Sequence, residues 1–209
     1  MTYNGAPSSG RLKAEIFGKA AHAGNCPENG VNALAVAGKI LGTIRQGRLD
    51  FESTSNFPTC VTNYGRESDT NVVCDYALIQ GECRSRNEQK YQDYISYFQK
   101  FCQEAAREAG ATVQTEAIQS YKGFAIPEDD EIIQIMEQVF QQMEIPILVE
   151  MGGGGMDANR LNEHGIKCVG LAIGYSGNHS TKEQIYIKDF VRSGEMVSKI
   201  IQVFASSLH

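Results

Sequence analysis

A single histidine in a short polar loop is the residue of this chain whose surroundings most favour metal chemistry. His179 lies in the segment 174–183 (GYSGNHSTKE), downstream of the glycine run 152–155. A loop after an apolar strand is a common location for a metal-binding imidazole, but zinc takes three or four protein ligands. The sequence contains no HxD and no HExxH motif. His179 is therefore predicted to be one ligand of a metal site that other residues complete, or else a loop histidine without a metal.

The glycine run itself is a second candidate for ligand contact. Residues 152–155 are all glycine, and Met156, Asp157, Ala158 and Asn159 follow them. Glycine lets a backbone approach a ligand closely, and the first N–H groups of a following helix attract anions. A tight turn explains the same residues equally well, so both interpretations stay open.

Hydrophobic periodicity predicts a two-layer domain in the first part of the chain. Four segments alternate apolar and polar residues as strands do: 11–18, 59–64, 71–85 and 111–121. Two segments repeat apolar residues at helical spacing: 31–44 and 87–109. The order strand–helix–strand–strand–helix–strand predicts a ferredoxin-like α+β fold, with two helices on one face of an antiparallel sheet. We assign this domain to residues 10–122 and interpret the small, polar residues 1–9 as a flexible leader.

The second part of the chain, residues 123–209, alternates helices and strands and is predicted to be α/β. The predicted helices begin at Asp129 or Asp130, at Ala158 and at Ile187. The predicted strands are 145–149 and 167–173, and the second is apolar throughout, as in strands buried on both faces of a sheet. Two strands are too few for a self-sufficient α/β sheet. We therefore expect a portion of a larger α/β domain.

Composition excludes several classes of partner and compartment. The net charge is −6, which argues against nucleic acid or an anionic membrane surface as partner, because neutralising phosphates needs a basic face. No apolar stretch reaches the roughly 18 residues of a membrane span, and no signal-like segment begins the chain. The six cysteines are scattered without a CxxC motif, which indicates free thiols in a reducing compartment. We expect a cytoplasmic protein.

Several short motifs, in order along almost the whole chain, resemble those of one enzyme family. They are residues 18–24 (GKAAHAG), 27–33 (PENGVNA), 70–73 (TNVV), 82–85 (ECRS), 157–159 (DAN) and 179–181 (HST). Together they resemble the co-catalytic zinc exopeptidases, which include peptidase T, carboxypeptidase G, aminoacylase and succinyl-diaminopimelate desuccinylase. The peptidase T-like branch fits best.

This resemblance implies a lid, or dimerisation, domain inserted into a catalytic α/β domain. Residues 10–122 match the lid and residues 123–209 match the C-terminal part of the catalytic domain. The family's HxD motif and Glu-Glu pair have no counterpart in the sequence, so we expect no peptidase activity from this chain alone. In the complete enzyme the resemblance implies two zinc ions, a small peptide substrate and a homodimer formed through the lid.

The resemblance also implies roles for individual residues. His179 matches the family's C-terminal zinc ligand. His22 matches a lid histidine that, in dimeric relatives, reaches the neighbouring subunit's active site and donates a hydrogen bond to the scissile carbonyl. The structural alternatives are a loop histidine for His179 and a turn histidine for His22. In a monomeric enzyme, closure of the lid over its own catalytic domain would bring His22 to the substrate.

Asn71 and Arg84 match lid positions that contact the substrate backbone and its terminal carboxylate. An arginine fork suits a carboxylate because it donates to both oxygens. Alternatively, Arg84 is an outward strand residue paired with Glu82 or Glu88. The glycine loop, with Gly153, Gly154, Gly155 and Asn159, matches a further substrate-binding segment, although Met156 stands where many relatives have a serine or threonine.

A different class of function is a non-catalytic ferredoxin-like module that dimerises or binds a small ligand. RNA-binding domains share the element order, but the basic surface and aromatic strand pattern they need are absent from the sequence. Dimerisation remains open, with residues 71–73 as a candidate edge strand that pairs across a two-fold axis.

Overall fold

The computed structural model describes residues 1–62 and 70–207. Nine strands and five α-helices are described in chain order: β1 (Thr2–Ala6), β2 (Ser8–Phe17), α1 (Ala33–Thr43), β3 (Gly47–Arg48), β4 (Ser53–Thr62), β5 (Tyr76–Ser85), α2 (Glu88–Glu108), β6 (Thr112–Tyr121), β7 (Phe124–Ala125), α3 (Glu131–Gln142), β8 (Val149–Met151), α4 (Asp157–Glu163), β9 (Gly170–Leu171) and α5 (Ile187–Ser207). The chain divides into the unit Ser8–Gly123 and a second unit made of Met1–Pro7 and Phe124–His209.

The unit Ser8–Gly123 is an antiparallel sheet with the strand order β3-β4-β5-β2-β6. Along β2, the side chains of Leu12, Ala14 and Ile16 are buried, whereas Lys13 and Glu15 between them are partly exposed. The alternation arises because successive side chains of a strand point to opposite faces of the sheet. When the short β3 is left out, the strand order β4-β5-β2-β6 is that of a ferredoxin-like sheet. The predicted fold is therefore confirmed.

Both helices of this unit pack on the buried face of the sheet. Each begins at an asparagine cap: Asn32 Oδ1 accepts from the Ala35 N–H, and Asn87 Oδ1 accepts from the Lys90 N–H. At the centre of the core, the rings of Phe57 on β4 and Phe98 on α2 stack with centroids 5.3 Å apart. One contiguous cluster of apolar side chains therefore holds both layers together.

In the second unit, β1 is the central strand. It pairs antiparallel with β7 and β9 and parallel with β8. Helices α3 and α5 pack on each other through a cluster that includes Val139, Phe140 and Met196. The prediction of two strands here is wrong in number, since β1 and β7 join the sheet. The prediction that 167–173 is a strand buried on both faces is also wrong: β9 has two residues, and the segment is partly exposed.

The predicted flexible leader over residues 1–9 is wrong as well. Residues Thr2–Ala6 form β1, and the Thr2 side chain is fully buried. Backbone pairing with three strands that lie far along the chain buries these small polar residues. Composition alone does not predict this buried strand, because the local sequence pattern does not show which distant strands pair with it.

Two strand boundaries also differ from the predictions. The segment predicted as a strand over 71–85 forms β5 only from Tyr76, and residues 71–74 belong to a loop. The strand predicted over 59–64 begins earlier, at Ser53 in β4, while Tyr64 lies outside the described residues. Within residues 1–62 and 70–207, no helix is long and apolar enough to cross a membrane.

Candidate functional site

Two loops of the unit Ser8–Gly123 bring His22 and Asn71 together. The loop after β2 and the loop before β5 pair as a short antiparallel bridge between His22 and Val72. The Ala23 N–H donates to the Asn71 carbonyl at 2.8 Å, and the Val73 N–H donates to the Ala21 carbonyl at 2.9 Å. The Asn71 carbonyl and the Val73 N–H are thus bonded within their own unit, and the pairing of residues 71–73 with a second subunit stays a prediction.

The segment that leads into α1 approaches the chain just after β2 so closely that a glycine is required there. Lys19 and Val31 exchange two backbone hydrogen bonds of 2.9 Å. A Cβ atom at Gly18 would lie 2.0 Å from the Val31 carbonyl oxygen, which is far inside van der Waals contact. The glycine therefore allows the start of the His22 loop to pack against the segment that leads into α1.

The His22 ring is oriented by its own turn. Its Nδ1 atom accepts from the Gly24 N–H at 3.1 Å and from the Asn25 N–H at 3.2 Å. A nitrogen that accepts two backbone N–H groups carries no proton, so the neutral ring has its proton on Nε2. The side chain is exposed. His22 consequently presents a fixed N–H donor, the form that stabilises negative charge on a carbonyl oxygen.

Arg84 is not brought together with His22 and Asn71. It lies near the end of β5, opposite Ser9 at the start of β2, whereas the His22 loop follows the other end of β2. Tyr76 and Arg84 are eight residues apart along β5, which corresponds to roughly 27 Å. The Arg84 Nε and Nη2 atoms donate to the two Glu82 carboxylate oxygens at 2.9 and 3.1 Å. The pairing with Glu82, one of the two alternatives from the sequence, is present.

The glycine loop lies between β8 and α4 in the second unit. The Gly152 N–H donates to the Gly5 carbonyl at 2.8 Å, which ties the start of the loop to β1. Gly153, Gly154 and Gly155 are exposed, and a Cβ atom at Gly153 would meet no other atom. These three residues are accessible to a ligand.

Asn159 has a structural role in this loop. Its side chain is 1% exposed; Oδ1 accepts from the Met156 N–H at 3.0 Å and Nδ2 donates to the Pro7 carbonyl at 3.2 Å. These bonds satisfy the turn that opens α4 and position the glycines. We interpret Asn159 as a residue that orients the loop, and its predicted contact with substrate stays a prediction.

His179 occupies the tip of a turn closed by the pairing of Ser176 with Gln184. Its backbone is in the left-handed region, with φ of 59°, and its N–H donates to the Glu183 carboxylate at 2.8 Å. A non-glycine residue in this region stores backbone strain, which recurs at functional sites. Glu183, which no sequence motif indicated, thus helps to hold the turn, together with the Ser180 hydroxyl, which donates to the Gly177 carbonyl and accepts from the Lys182 N–H.

A complete zinc site is not formed by the part of the chain that the structure describes. Within residues 1–62 and 70–207, no three His, Cys, Asp or Glu side chains lie together as a metal-binding group. Because zinc takes three or four ligands, the described residues do not fit a zinc ion by themselves. The exposed His179 imidazole can supply one ligand only.

Four of the six cysteines are unsuited to nucleophilic chemistry. All six are free. Burial raises the pKa of the Cys83 and Cys102 thiols to about 12, and it also raises the pKa of Cys60 and Cys168. The thiolate is the reactive form of cysteine, so these four thiols stay protonated and unreactive at neutral pH.

Known proteins with similar sequences and structures are peptidases or their relatives. The family model of the peptidase dimerisation domain of M20 type matches residues 4–110, just over half of the chain. The protein YqjE of Bacillus subtilis, which carries the description uncharacterised, is 34% identical over 197 residues, covering 94% of this chain and 52% of YqjE.

Two solved structures share both sequence and fold with the chain. The aminopeptidase PepT from Bacillus cereus is 31% identical with a TM-score of 0.85, and a tripeptidase from Staphylococcus aureus is 29% identical with a TM-score of 0.90. Each match covers 98% of this chain and 54% of the other. The chain thus spans about half the length of these relatives, and the predicted resemblance to the peptidase T-like branch is confirmed. The chain belongs to the family of M20 peptidase dimerisation domains.

Proposed function

We propose that this chain supplies the lid and a C-terminal catalytic portion of a hydrolase that cleaves peptide or related amide bonds in small peptides. In this proposal the unit Ser8–Gly123 is the lid and dimerisation domain, and the unit made of Met1–Pro7 and Phe124–His209 is the catalytic portion. The observation that carries this proposal is the His22 ring, whose Nδ1 is held as an acceptor by two backbone N–H groups. Its Nε2–H is thereby fixed as a donor.

The His22 donor acts on the carbonyl oxygen of the bond that is cleaved. Negative charge develops on this oxygen as a tetrahedral intermediate forms, so a donor fixed in advance stabilises the transition state more than the ground state. Asn71 lies on the loop segment that pairs with the His22 loop, and it is exposed. Its amide is proposed to hydrogen-bond the peptide backbone of the same substrate.

The position of Arg84 favours a site assembled from two subunits. A tripeptide spans about 10 Å when extended, whereas Arg84 and the His22 end of the sheet are separated by roughly 27 Å along β5. One small peptide therefore cannot contact both within a single lid. We infer that a substrate whose carboxylate is bound by Arg84 of one subunit also contacts His22 and Asn71 of the partner subunit. Arg84 remains half-buried beside Glu82, which holds its guanidinium in place.

His179 is proposed as one zinc ligand of the complete hydrolase. The described residues do not form the rest of such a site, so further ligands would come from other residues. For the same reason we expect the chain by itself to show no peptidase activity. The six free thiols support a reducing, cytoplasmic location.

The dimer is proposed to form through β4 and α1. Strand β3 pairs with β4 only at Ser55 and Thr54, so the rest of the outer edge of β4 has no neighbouring strand among the described residues. An open edge of this kind can pair with a second copy across a two-fold axis. The dimerisation-domain match ends at residue 110, before the opposite edge strand β6 begins at Thr112. Because the match over residues 4–110 includes β4 but not β6, it favours β4 as the edge through which the dimer forms.

Helix α1 packs against β2, β4 and β5 and exposes a narrow face of small residues. Ala35, Gly38 and Gly42 are exposed, and a Cβ atom at either glycine would meet no other atom within 4 Å. Small residues at this spacing allow two helices to approach closely. A second α1 from a partner subunit therefore fits here.

Gly38→Glu is expected to convert a dimer to monomers without unfolding the chain. The new side chain enters open space in one subunit, and replacing a helix-interior glycine favours the helix, but at a helix–helix contact it buries an uncompensated charge. We expect the dimer dissociation constant, measured by analytical ultracentrifugation, to rise by about 100-fold. Gln103→Glu, an exposed change on α2, is the matched control. A chain that is monomeric at high concentration before any substitution would contradict the proposed dimer.

A chimaeric enzyme tests the catalytic proposal directly. This chain replaces the part of the Staphylococcus aureus tripeptidase that it matches, and hydrolysis of tripeptides is measured. We expect turnover, because the two folds superimpose with a TM-score of 0.90. A chimaera that folds and dimerises but hydrolyses neither tripeptides nor other small amides would favour a non-catalytic dimerisation module instead.

A further inference from the structure

A cavity of about 410 Å³ lies within the unit Ser8–Gly123, on the side of the sheet that the helices cover. Its lining residues come from the segment 45–53, which leads from α1 into β4, and from residues 90–97 in the first half of α2. A volume of this size is typical of sites for small organic molecules. The side chains around the cavity indicate which kind of molecule fits.

The charged side chains at this cavity are only partly neutralised by one another. Lys90 Nζ forms ion pairs with Asp50 Oδ2 at 3.1 Å and with Glu52 Oε2 at 2.5 Å. Arg45 and Asp93 also line the cavity, and neither forms an ion pair with any residue that the structure describes. The cavity therefore offers one unpaired positive group and one unpaired negative group to a ligand.

Hydrogen bonds hold both of these charged groups in place. The Arg45 Nη2 atom donates to the Leu49 carbonyl at 2.7 Å, and the Arg45 carbonyl accepts from the Tyr94 hydroxyl at 2.7 Å. The Leu49 contact uses one of the five N–H groups that a guanidinium carries. Asp93 Oδ1 accepts from the Gln89 side chain at 2.8 Å. Groups that are ordered before a ligand arrives lose less entropy when it binds.

The remaining wall of the cavity is aromatic and aliphatic. The rings of Tyr94 and Tyr97 lie on α2 with their centroids 6.0 Å apart, and Leu49 lines the cavity as well. Leu49 is half-buried, whereas Tyr97 is 40% exposed and accessible to a ligand. Such side chains bury an apolar body, and the face of an aromatic ring also attracts a cation. An apolar group beside an ammonium group therefore suits this wall.

The cavity and Arg84 lie on opposite faces of the sheet. Ser53, which lines the cavity, is buried, and its hydroxyl oxygen is 2.8 Å from that of Ser85 on β5. Successive side chains of a strand point to opposite faces, so the side chain of Arg84, next to Ser85, points away from the cavity. A ligand in the cavity therefore does not use the Arg84 contact that is proposed above for a substrate carboxylate.

We propose that this cavity binds a small zwitterion with an apolar or aromatic side chain, the chemistry that free α-amino acids and short peptides share. The carboxylate of the ligand is bound by Arg45, and its ammonium group is bound by Asp93. Its side chain packs against Leu49, Tyr94 and Tyr97. A molecule with one charge would leave Arg45 or Asp93 without a partner, so the site selects for both charges. The proposed function assigns no role to these five residues, and the inference stands independently of it.

The test titrates the isotope-labelled chain with small molecules and follows its backbone amide signals by nuclear magnetic resonance. L-phenylalanine and leucylphenylalanine carry both charges, whereas phenethylamine lacks the carboxylate and hydrocinnamate lacks the ammonium group. We expect at least one zwitterion to bind with a Kd of about 1 mM or tighter and to shift the signals of residues 45–53 and 90–97. Both singly charged molecules are expected to bind at least about 10-fold more weakly.

The two zwitterions distinguish the amino acid from the peptide as ligand. Each added residue extends the chain between the two charged groups by up to about 3.6 Å, so one length matches the separation of Arg45 and Asp93 better than the other. The zwitterion with the lower Kd identifies the source.

Arg45→Gln and Asp93→Asn each remove one charge with little change of shape, and each is expected to raise the Kd of the zwitterion by about 10-fold or more. Arg48→Gln and Glu137→Gln remove the same charges at exposed positions that do not line the cavity, and they are expected to bind as the parent chain does. Circular dichroism checks that each variant folds. Asp93 is an exposed helix residue, so its variant tests the site even if Arg45→Gln unfolds the chain.

Three results would overturn the inference. The first is that neither zwitterion binds at ten times the expected Kd. The second is that a singly charged molecule binds as tightly as the zwitterions, which would show that the two charges of the cavity do not act together. The third is that the shifted signals lie outside residues 45–53 and 90–97, which would place the ligand elsewhere.

Discussion

Replacing His22 by alanine in the tripeptidase chimaera is expected to lower kcat by about 10²- to 10³-fold, the effect of removing one oxyanion donor. The physical reason is the fixed tautomer: Gly24 and Asn25 hold Nδ1 as an acceptor, so that the Nε2–H needs no reorganisation as charge develops. KM is expected to change little, because a donor of this kind acts mainly in the transition state. Steady-state kinetics on a tripeptide measure both constants.

The control for this experiment is His164→Ala, which removes an exposed histidine at the end of α4. It is expected to leave both constants unchanged. His22→Gln keeps an N–H donor of similar reach and should recover part of kcat. If His22 acts across a dimer, Gly38→Glu should lower kcat as well, through loss of the partner. Equal loss of kcat in the His22 and His164 variants would disprove the assigned role.

Phe98→Ala is expected to reduce the free energy of unfolding of the unit Ser8–Gly123 by about 3 to 5 kcal/mol. Phe98 is fully buried on α2, and its ring stacks on Phe57 of β4. Alanine would lose this contact and leave a cavity between the two layers, where the rigid sheet prevents full collapse. Urea unfolding followed by circular dichroism measures the change.

Ser96→Ala is the matched control on the same helix, since Ser96 is exposed. A change within about 0.5 kcal/mol is expected there. A loss below about 1 kcal/mol for Phe98→Ala would show that the core of this unit repacks and does not depend on the Phe57–Phe98 contact.

The lid could be predicted well from local patterns. Strand β2 alternates buried residues (Leu12, Ala14 and Ile16) with more exposed ones, and α1 and α2 repeat apolar residues at helical spacing. Both patterns are visible in neighbouring residues, and they predict the fold because an amphipathic element must bury its apolar side. The second unit was predicted less well. Its sheet depends on β1, whose sequence is small and polar and whose burial comes from partners more than a hundred residues away.

The candidate site shows the same division between local and long-range information. Motif resemblance predicted four candidate site residues, His22, Asn71, Arg84 and His179. Of these, Asn71 does lie beside the His22 loop. The separation of Arg84 from His22 could not be read from their motifs, because it depends on the register between β2 and β5. The burial of Asn159 was missed for a related reason, since its amide bonds the carbonyl of Pro7 at the other end of the chain.

The sequence by itself determined the element order of the lid, the family of the chain and the residue types capable of chemistry, because these are properties of short segments. Only the tertiary structure decided that residues 2–6 are a buried strand, that His22 carries its proton on Nε2, and that Arg84 lies at the far end of the sheet. Each of these depends on backbone groups whose partners are fixed by the folded chain, and no local pattern specifies such partners.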